Sequence, residues 1–119
     1  MTERAIFRLH DIKKSIGRIR SLLAGTSFDQ LRGNVVVLAA FERFLEILSE
    51  AARHIREPWR EEHADIPWID IASLGNRIRH EYFRVDSTGL WSIYENDLTP
   101  LERAVDALLI AHSPKEGST

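Results

Sequence analysis

An all-α fold, an up-and-down bundle of four to five helices, is predicted by three features of the sequence. Apolar residues recur at gaps of three and four over long stretches, the spacing that lines one side of a helix. Serine, threonine and proline start signals and a glycine stop punctuate those stretches. No segment alternates apolar and polar residues between turn residues, as a half-buried strand would, and no internal repeat is present. A chain of 119 residues has room for one core. A single domain is therefore expected over residues 1–112, followed by a polar, disordered tail at 113–119.

In the first helix, residues 3–24, the stripe is Ile6, Leu9, Ile12, Ile16, Ile19 and Leu23, and Gly25 stands where it should end. Ser27 followed three residues later by Gln30 forms a capping-box pattern, opening a second helix from Phe28 to about His54. Its interior, Val35 to Phe41, is apolar all round. Such a helix needs cover on more than one side, from a central place in the bundle or from a partner subunit. Residues 55–67, with Pro58, Pro67 and the run Arg60-Glu61-Glu62-His63, read as a surface connection with room for one helical turn. Pro67 suits the first turn of a third helix from about Trp68 to Tyr82. Arg84 to Ser87 break the pattern, and a short fourth helix is expected over Thr88–Glu95, carrying Leu90, Trp91 and Tyr94. Thr99-Pro100-Leu101-Glu102 sets an N-cap threonine, a proline at the first helical position and a glutamate at the third, so a fifth helix should run from there to about Ala111.

Composition narrows the function. Hydrophobic residues at 44% and charged residues at 29% match globular chains rather than disordered ones. The absence of cysteine excludes a disulfide scaffold, thiolate zinc sites and a cysteine nucleophile, and fits a cytoplasmic protein. The longest apolar run, Val35 to Phe41, is far short of the roughly 20 residues of a membrane span, and Met1-Thr2-Glu3-Arg4 lacks the pattern of a secretory signal. A net charge of −2 gives no whole-molecule attraction to nucleic acid. Yet 13 of the 16 basic residues are arginine, whose planar fork of donors suits carboxylates and phosphates.

The third helix holds the best constellation. On a wheel of about 100° per residue, Ile71, Leu74, Ile78 and Tyr82 fall on one line facing the core. His80 lies about 180° from Ile71, with Ser73, Asn76, Arg77 and Arg84 around it and Arg79 toward the side. Asn76 and Arg84 are each one turn from His80, so these side chains can converge. An imidazole that exchanges a proton near neutral pH, beside guanidiniums that hold an anion, suits a phosphodiester. The same residues also fit a solvated, arginine-rich face.

Other constellations are weaker. His10, His54, His63 and His112 lie on separate elements and form no Glu-x-x-His pair. Zincin, Walker and Rossmann patterns are absent, so neither metal nor cofactor is expected. Glu46 and Glu50 read as surface charge. Glu61, Glu62, His63 and Asp65 read as a solvated loop. Trp59, Trp68 and Trp91 read as packing residues, not interleaved with basic ones as a base-stacking platform would be. Ser27, Ser73 and Ser87 lack a nucleophile elbow.

The stretch from Trp68 to Asp86, with its Asn76-x-x-x-His80-x-Tyr82 core, resembles the signature of HepT-like proteins of the HEPN superfamily; the likeness continues through Trp91 and Asn96 to Leu101. The resemblance implies a homodimeric bundle, the toxin half of a HEPN/MNT toxin–antitoxin pair, acting as a metal-independent endoribonuclease on RNA. It implies catalytic roles for His80 and Asn76, with sites of two subunits meeting in one cleft. The family arginine, four to six residues before the histidine, should stand at position 73, 74 or 75; here these are Ser73, Leu74 and Gly75. Arg77 or Arg79 could supply that charge from a neighbouring position. The implied partner is an MNT-type nucleotidyltransferase that silences the toxin by adenylylating Tyr82; this chain has no Gly-Ser…Asp-x-Asp pattern of its own. A second reading is a HEPN relative without catalysis, binding and regulating that nucleotidyltransferase as a dimer, and Gly75 is the residue that favours it.

Overall fold

The computed structural model describes residues 2–80 and 87–113, and every regular element among them is helical. Helix α1 (Thr2–Leu23) carries Leu9, Ile12, Ile16, Ile19 and Leu23 fully buried, the stripe expected from their spacing. Gly25 follows with φ +73, the left-handed conformation that glycine adopts without a Cβ penalty.

The expected second helix is two helices, α2 (Phe28–Arg32) and α3 (Val35–Arg53). Its capping box is present: Ser27 Oγ accepts from the Gln30 N–H at 3.1 Å and Gln30 Oε1 accepts from the Ser27 N–H at 2.8 Å. The interruption lies at Gly33-Asn34. Gly33 bonds back to the carbonyls of Asp29 and Leu31, and Asn34, in an extended conformation, caps α3 by accepting from the Val37 N–H at 3.0 Å. A stop and a new cap side by side prevail over continuous apolar spacing. The apolar run that opens α3 is covered only in part within the protomer: Val35 and Val36 are 80% and 78% exposed, Val37 and Leu38 are partly buried against the core, and full burial begins at Phe41.

Residues 55–67 contain α4 (Glu57–Glu62), which is anchored by buried Trp59 stacked on His112 at 4.4 Å between ring centroids. Helix α5 (Trp68–His80) starts just after Pro67, whose carbonyl accepts the Ile71 N–H at 3.0 Å; the proline therefore precedes the first turn instead of entering it. The expected last turn of this helix, with Tyr82 and the break at Arg84, lies outside the described residues, as does the tail beyond Ser113.

The expected fourth and fifth helices are continuous. Helix α6 (Ser87–Ser92) passes through one π-helical turn, Ile93–Asp97, into α7 (Leu98–His112). Thr99 is thus inside α7 and is no cap; its hydroxyl accepts from Arg20 at 2.9 Å. Pro100 explains the wide turn: it has no N–H to return to the preceding turn, and the π register just ahead of it absorbs that misfit.

Helix α3 lies between α1 and α5, and α7 packs along α1 and the π turn. The pairs Arg20–Glu102 and Lys13–Asp106 fix α7 antiparallel to α1. The core of this four-helix arrangement is the α1 stripe, Phe41, Leu45 and Leu48 of α3, Leu74 and Ile78 of α5, and Leu101, Val105 and Leu108 of α7. Among the described residues no helix is long and apolar enough to cross a membrane.

Candidate active site on helix α5

Helix α5 is fixed on α3 by its buried residues Trp68, Leu74, Gly75 and Ile78. The two helices approach closely at Gly75. Buried Ser49 of α3 accepts from the Gly75 N–H at 2.8 Å and donates to the Ala72 carbonyl at 3.0 Å. A Cβ at position 75 would lie 3.1 Å from Ser49 Oγ and 3.2 Å from Ser49 Cβ, inside ordinary contact distance. The absence of an arginine at this position therefore has a counterpart in packing: the chain has spent position 75 on helix contact.

With that side held against α3, the opposite side of α5 faces outward. His80, Asn76, Arg77 and Ser73 are all exposed. Ser73 donates to the Asp70 carbonyl at 3.0 Å; the side chains of His80, Asn76 and Arg77 engage no hydrogen bond or ion pair among the described residues. Arg77 borders a cavity of about 340 Å³ between α5 and the start of α7, floored by Leu45, Leu74 and Leu101 with Asp70 and Asp97 at its rim. Arg79 turns to the other flank, where its Nη1 lies 3.6 Å from Glu46. The structure thus brings His80, Asn76 and Arg77 to one face and separates Arg79 from them. Tyr82 and Arg84 lie outside the described residues.

Glu46 is not ordinary surface charge. Its side chain is 16% exposed and serves as the partner of Arg79. Glu42, one turn earlier, has its carboxyl pushed above the usual range, first by burial and then by the charge of Glu46. Glu50 accepts from His54 at 2.9 Å and from Arg53 at 3.0 Å, and the His54 hydrogen bond is the main cause of its lowered pKa. The loop read at residues 61–65 is also tied down in part, because Glu62 bonds His112 at 2.9 Å. Among the described residues no group of three or more histidines and carboxylates is placed to hold a metal ion.

Sequence reasoning missed Ser49 and the Glu46–Arg79 pair. One signal for the first was available: an isolated glycine inside a helical pattern commonly marks a close approach. The pair had no signal, because it joins residues on different helices.

The protein is thus an all-α bundle whose helix α5, packed against α3 on one side, presents a histidine, an asparagine and an arginine on the other. The family profile described as ribonuclease HepT-like matches residues 12–108, and the chain belongs to that family. Among the proteins it is similar to are several provisionally named as ribonucleases. The one from Caldanaerobacter subterraneus subsp. tengcongensis is 34% identical over 85 residues, 71% of this chain and 76% of the relative. One from Methanocaldococcus jannaschii is 30% identical over 98 residues, 82% of this chain and 90% of the relative. One from Thermococcus cleftensis, given the name ribonuclease HepT, is 29% identical over 100 residues, 84% of this chain and 91% of the relative. No solved structure matches the chain.

Proposed function

We propose that this protein is the toxin of a HEPN/MNT toxin–antitoxin pair, a single HEPN-like domain over residues 1–112 that acts in the cytoplasm as a homodimeric, metal-independent endoribonuclease. The observation that carries the reading is the exposed, unengaged imidazole of His80 beside the equally unengaged Asn76 and Arg77. In the proposed step the ribose 2′-oxygen attacks the adjacent phosphorus as the bond to the 5′-oxygen breaks. One imidazole takes the 2′-hydroxyl proton and another gives a proton to the departing 5′-oxygen, leaving a 2′,3′-cyclic phosphate and a 5′-hydroxyl. A single imidazole cannot hold both roles at once, so His80 of a second subunit supplies the other. Arg77 balances the charge that builds on the phosphoryl oxygens, and Asn76 orients the imidazole or a phosphoryl oxygen. Arg79, held by Glu46, contributes from the flank. The internal nucleophile restricts cleavage to RNA and leaves DNA intact. Tyr82 is the proposed site of adenylylation by the nucleotidyltransferase partner. The uncovered Val35 and Val36 supply apolar surface for the dimer.

Incubation of the purified protein with RNA in a chelator tests the reading: cyclic-phosphate ends are expected, and His80→Ala, an exposed substitution, should abolish them while leaving the melting temperature unchanged. Cleavage that persists in His80→Ala removes the mechanism. The regulatory, non-catalytic dimer is favoured by a different observation, the tight packing of Gly75 on Ser49. It predicts a wild type that binds the nucleotidyltransferase and leaves RNA uncut. Gly75→Arg alone cannot separate the readings, because the new side chain displaces Ser49; Gly75→Arg combined with Ser49→Gly makes the room. Cleavage that appears only in that double variant supports the regulatory reading.

A further inference from the structure

A second arginine cluster lies away from α5, at the opposite end of α3 from its exposed valines. The first turns of α1, the C-terminus of α3 and the connection to α4 enclose a cavity of about 550 Å³ lined by Arg4, Ala5, Arg8, His54 and Arg56. Arg4 and Arg8 are one helical turn apart and so share a side of α1. Arg56 stands at the N-cap of α4 with its guanidinium 5.8 Å from the centroid of Trp59, a ring fixed by burial and by its stack on His112. None of these three arginines has a carboxylate partner among the described residues. Glu50, the carboxylate bonded to His54, is also taken by Arg53.

Three unpaired guanidiniums around one concavity repel one another, and in a chain of net charge −2 their convergence is not a consequence of overall basicity. Their donors match phosphate oxygens in geometry and charge. Contacts of this kind to phosphate oxygens position a strand without reading its sequence.

We propose that this cavity is a second phosphate-binding site, which holds the backbone of single-stranded RNA away from the bond being cut. The proposal rests on the ribonuclease reading. Glu46, whose partner Arg79 lies on the flank of α5 beside the candidate active site, and His54, the C-cap of α3 at the cavity, are eight residues apart, a rise of about 12 Å along the helix. A short stretch of single strand spans that distance. The carboxylates along the way, Glu46 and Glu50, are each already matched by a cation. The cavity would thus raise affinity for RNA and leave the chemical step to α5.

The test measures binding of a labelled single-stranded RNA by fluorescence anisotropy in the His80→Ala background, as a function of salt. Arg4→Gln, Arg8→Gln and Arg56→Gln are combined in one variant, and Arg18→Gln, Arg43→Gln and Arg103→Gln, all at exposed positions, in a control with the same change in net charge. Equal melting temperatures establish that both are folded, with single Arg4→Gln as the milder form. The cavity variant should weaken binding at least tenfold at moderate salt and flatten the slope of log affinity against log salt by about 2, from roughly 0.7 per lost phosphate contact. The control should change affinity less than threefold. Equal losses in the two variants overturn the proposal, as does an unchanged cavity variant while the protein with His80 intact still cuts RNA. Failure of that intact protein to bind or cut any RNA sinks the ribonuclease reading instead, and this inference with it. Shifts of the His54 resonances on adding inorganic phosphate, with RNA affinity unaltered in the cavity variant, would reassign the cavity to a free phosphate ligand and overturn its role in holding RNA.

Discussion

Replacing Gly75 by alanine should destabilise the protein even though alanine is the better helix former. In a helix interior the exchange gains about 1 kcal/mol from propensity alone. Against this, the new Cβ would lie 3.1 Å from Ser49 Oγ and 3.2 Å from Ser49 Cβ. Ser49 has no exposed surface, so it has nowhere to retreat, and separating α3 from α5 by a few tenths of an ångström loosens both of its hydrogen bonds. Overpacking of a close contact costs about 1–3 kcal/mol, and the bond to the Gly75 N–H contributes about 1 kcal/mol more. The balance is a loss of about 1–3 kcal/mol. Urea denaturation followed by far-UV circular dichroism would read it as a lower midpoint with unchanged slope. In the Ser49→Gly, Gly75→Ala double variant the small residue moves to the other helix, and a favourable coupling of about 1 kcal/mol is expected. A stabilised Gly75→Ala variant, or strictly additive effects in the double, would refute the claim that this contact governs position 75.

Three further outcomes follow from the geometry. Arg77→Gln should lower the cleavage rate by about 10²–10³-fold, the scale of losing one transition-state donor, and Arg79→Gln by markedly less, because Arg79 is turned toward Glu46; single-turnover cleavage assays compare them, and the reverse order would assign the charge to Arg79. Glu42→Gln should raise stability at neutral pH by no more than about 0.5 kcal/mol. The raised folded-state pKa means the ionised carboxylate opposes folding above that value, so the advantage should close as pH falls to the ordinary carboxylate range; denaturation at neutral and acid pH checks the sign. Val35→Ser with Val36→Ser should shift the proposed dimer toward monomer in sedimentation while leaving the melt of the protomer core intact, since both residues are exposed.

The fold was legible because its main determinants are local. The α1 stripe, the Ser27–Gln30 capping box and the glycine stop each act within a few residues, and each stands in the structure where the sequence puts it. The errors arose where two local signals competed. At Gly33-Asn34 an unbroken apolar run masked a stop followed by a cap. At Thr99-Pro100 a start signal sat inside a helix already under way, and the π turn that reconciles them depends on the preceding helix, which the motif does not contain. The apolar run from Val35 calls for cover by its composition, yet the protomer leaves Val35 and Val36 exposed, because which surfaces meet is a question of tertiary position that periodicity does not contain.

The outward face of α5 could likewise be read from periodicity, and the exposure of His80, Asn76 and Arg77 agrees with the wheel. The side of the helix on which each arginine finds a partner could not, because it depends on what α3 presents. Spacing alone makes Arg77 and Arg79 equivalent substitutes for an arginine at position 75. Across the helix interface they differ: a Cβ at position 75 would be 3.5 Å from Arg79 Nη1, so the Arg79 guanidinium lies back over the glycine, toward α3, where Glu46 meets it. The positive charge is thus restored near the vacant position but is matched by a carboxylate. Arg77 has no such carboxylate at bonding distance among the described residues, which is why the proposed mechanism assigns the phosphoryl charge to it. Glycine at 75, Ser49 and Glu46 therefore act together, fixing α5 on one side and leaving Arg77 as the guanidinium that can serve the face of His80.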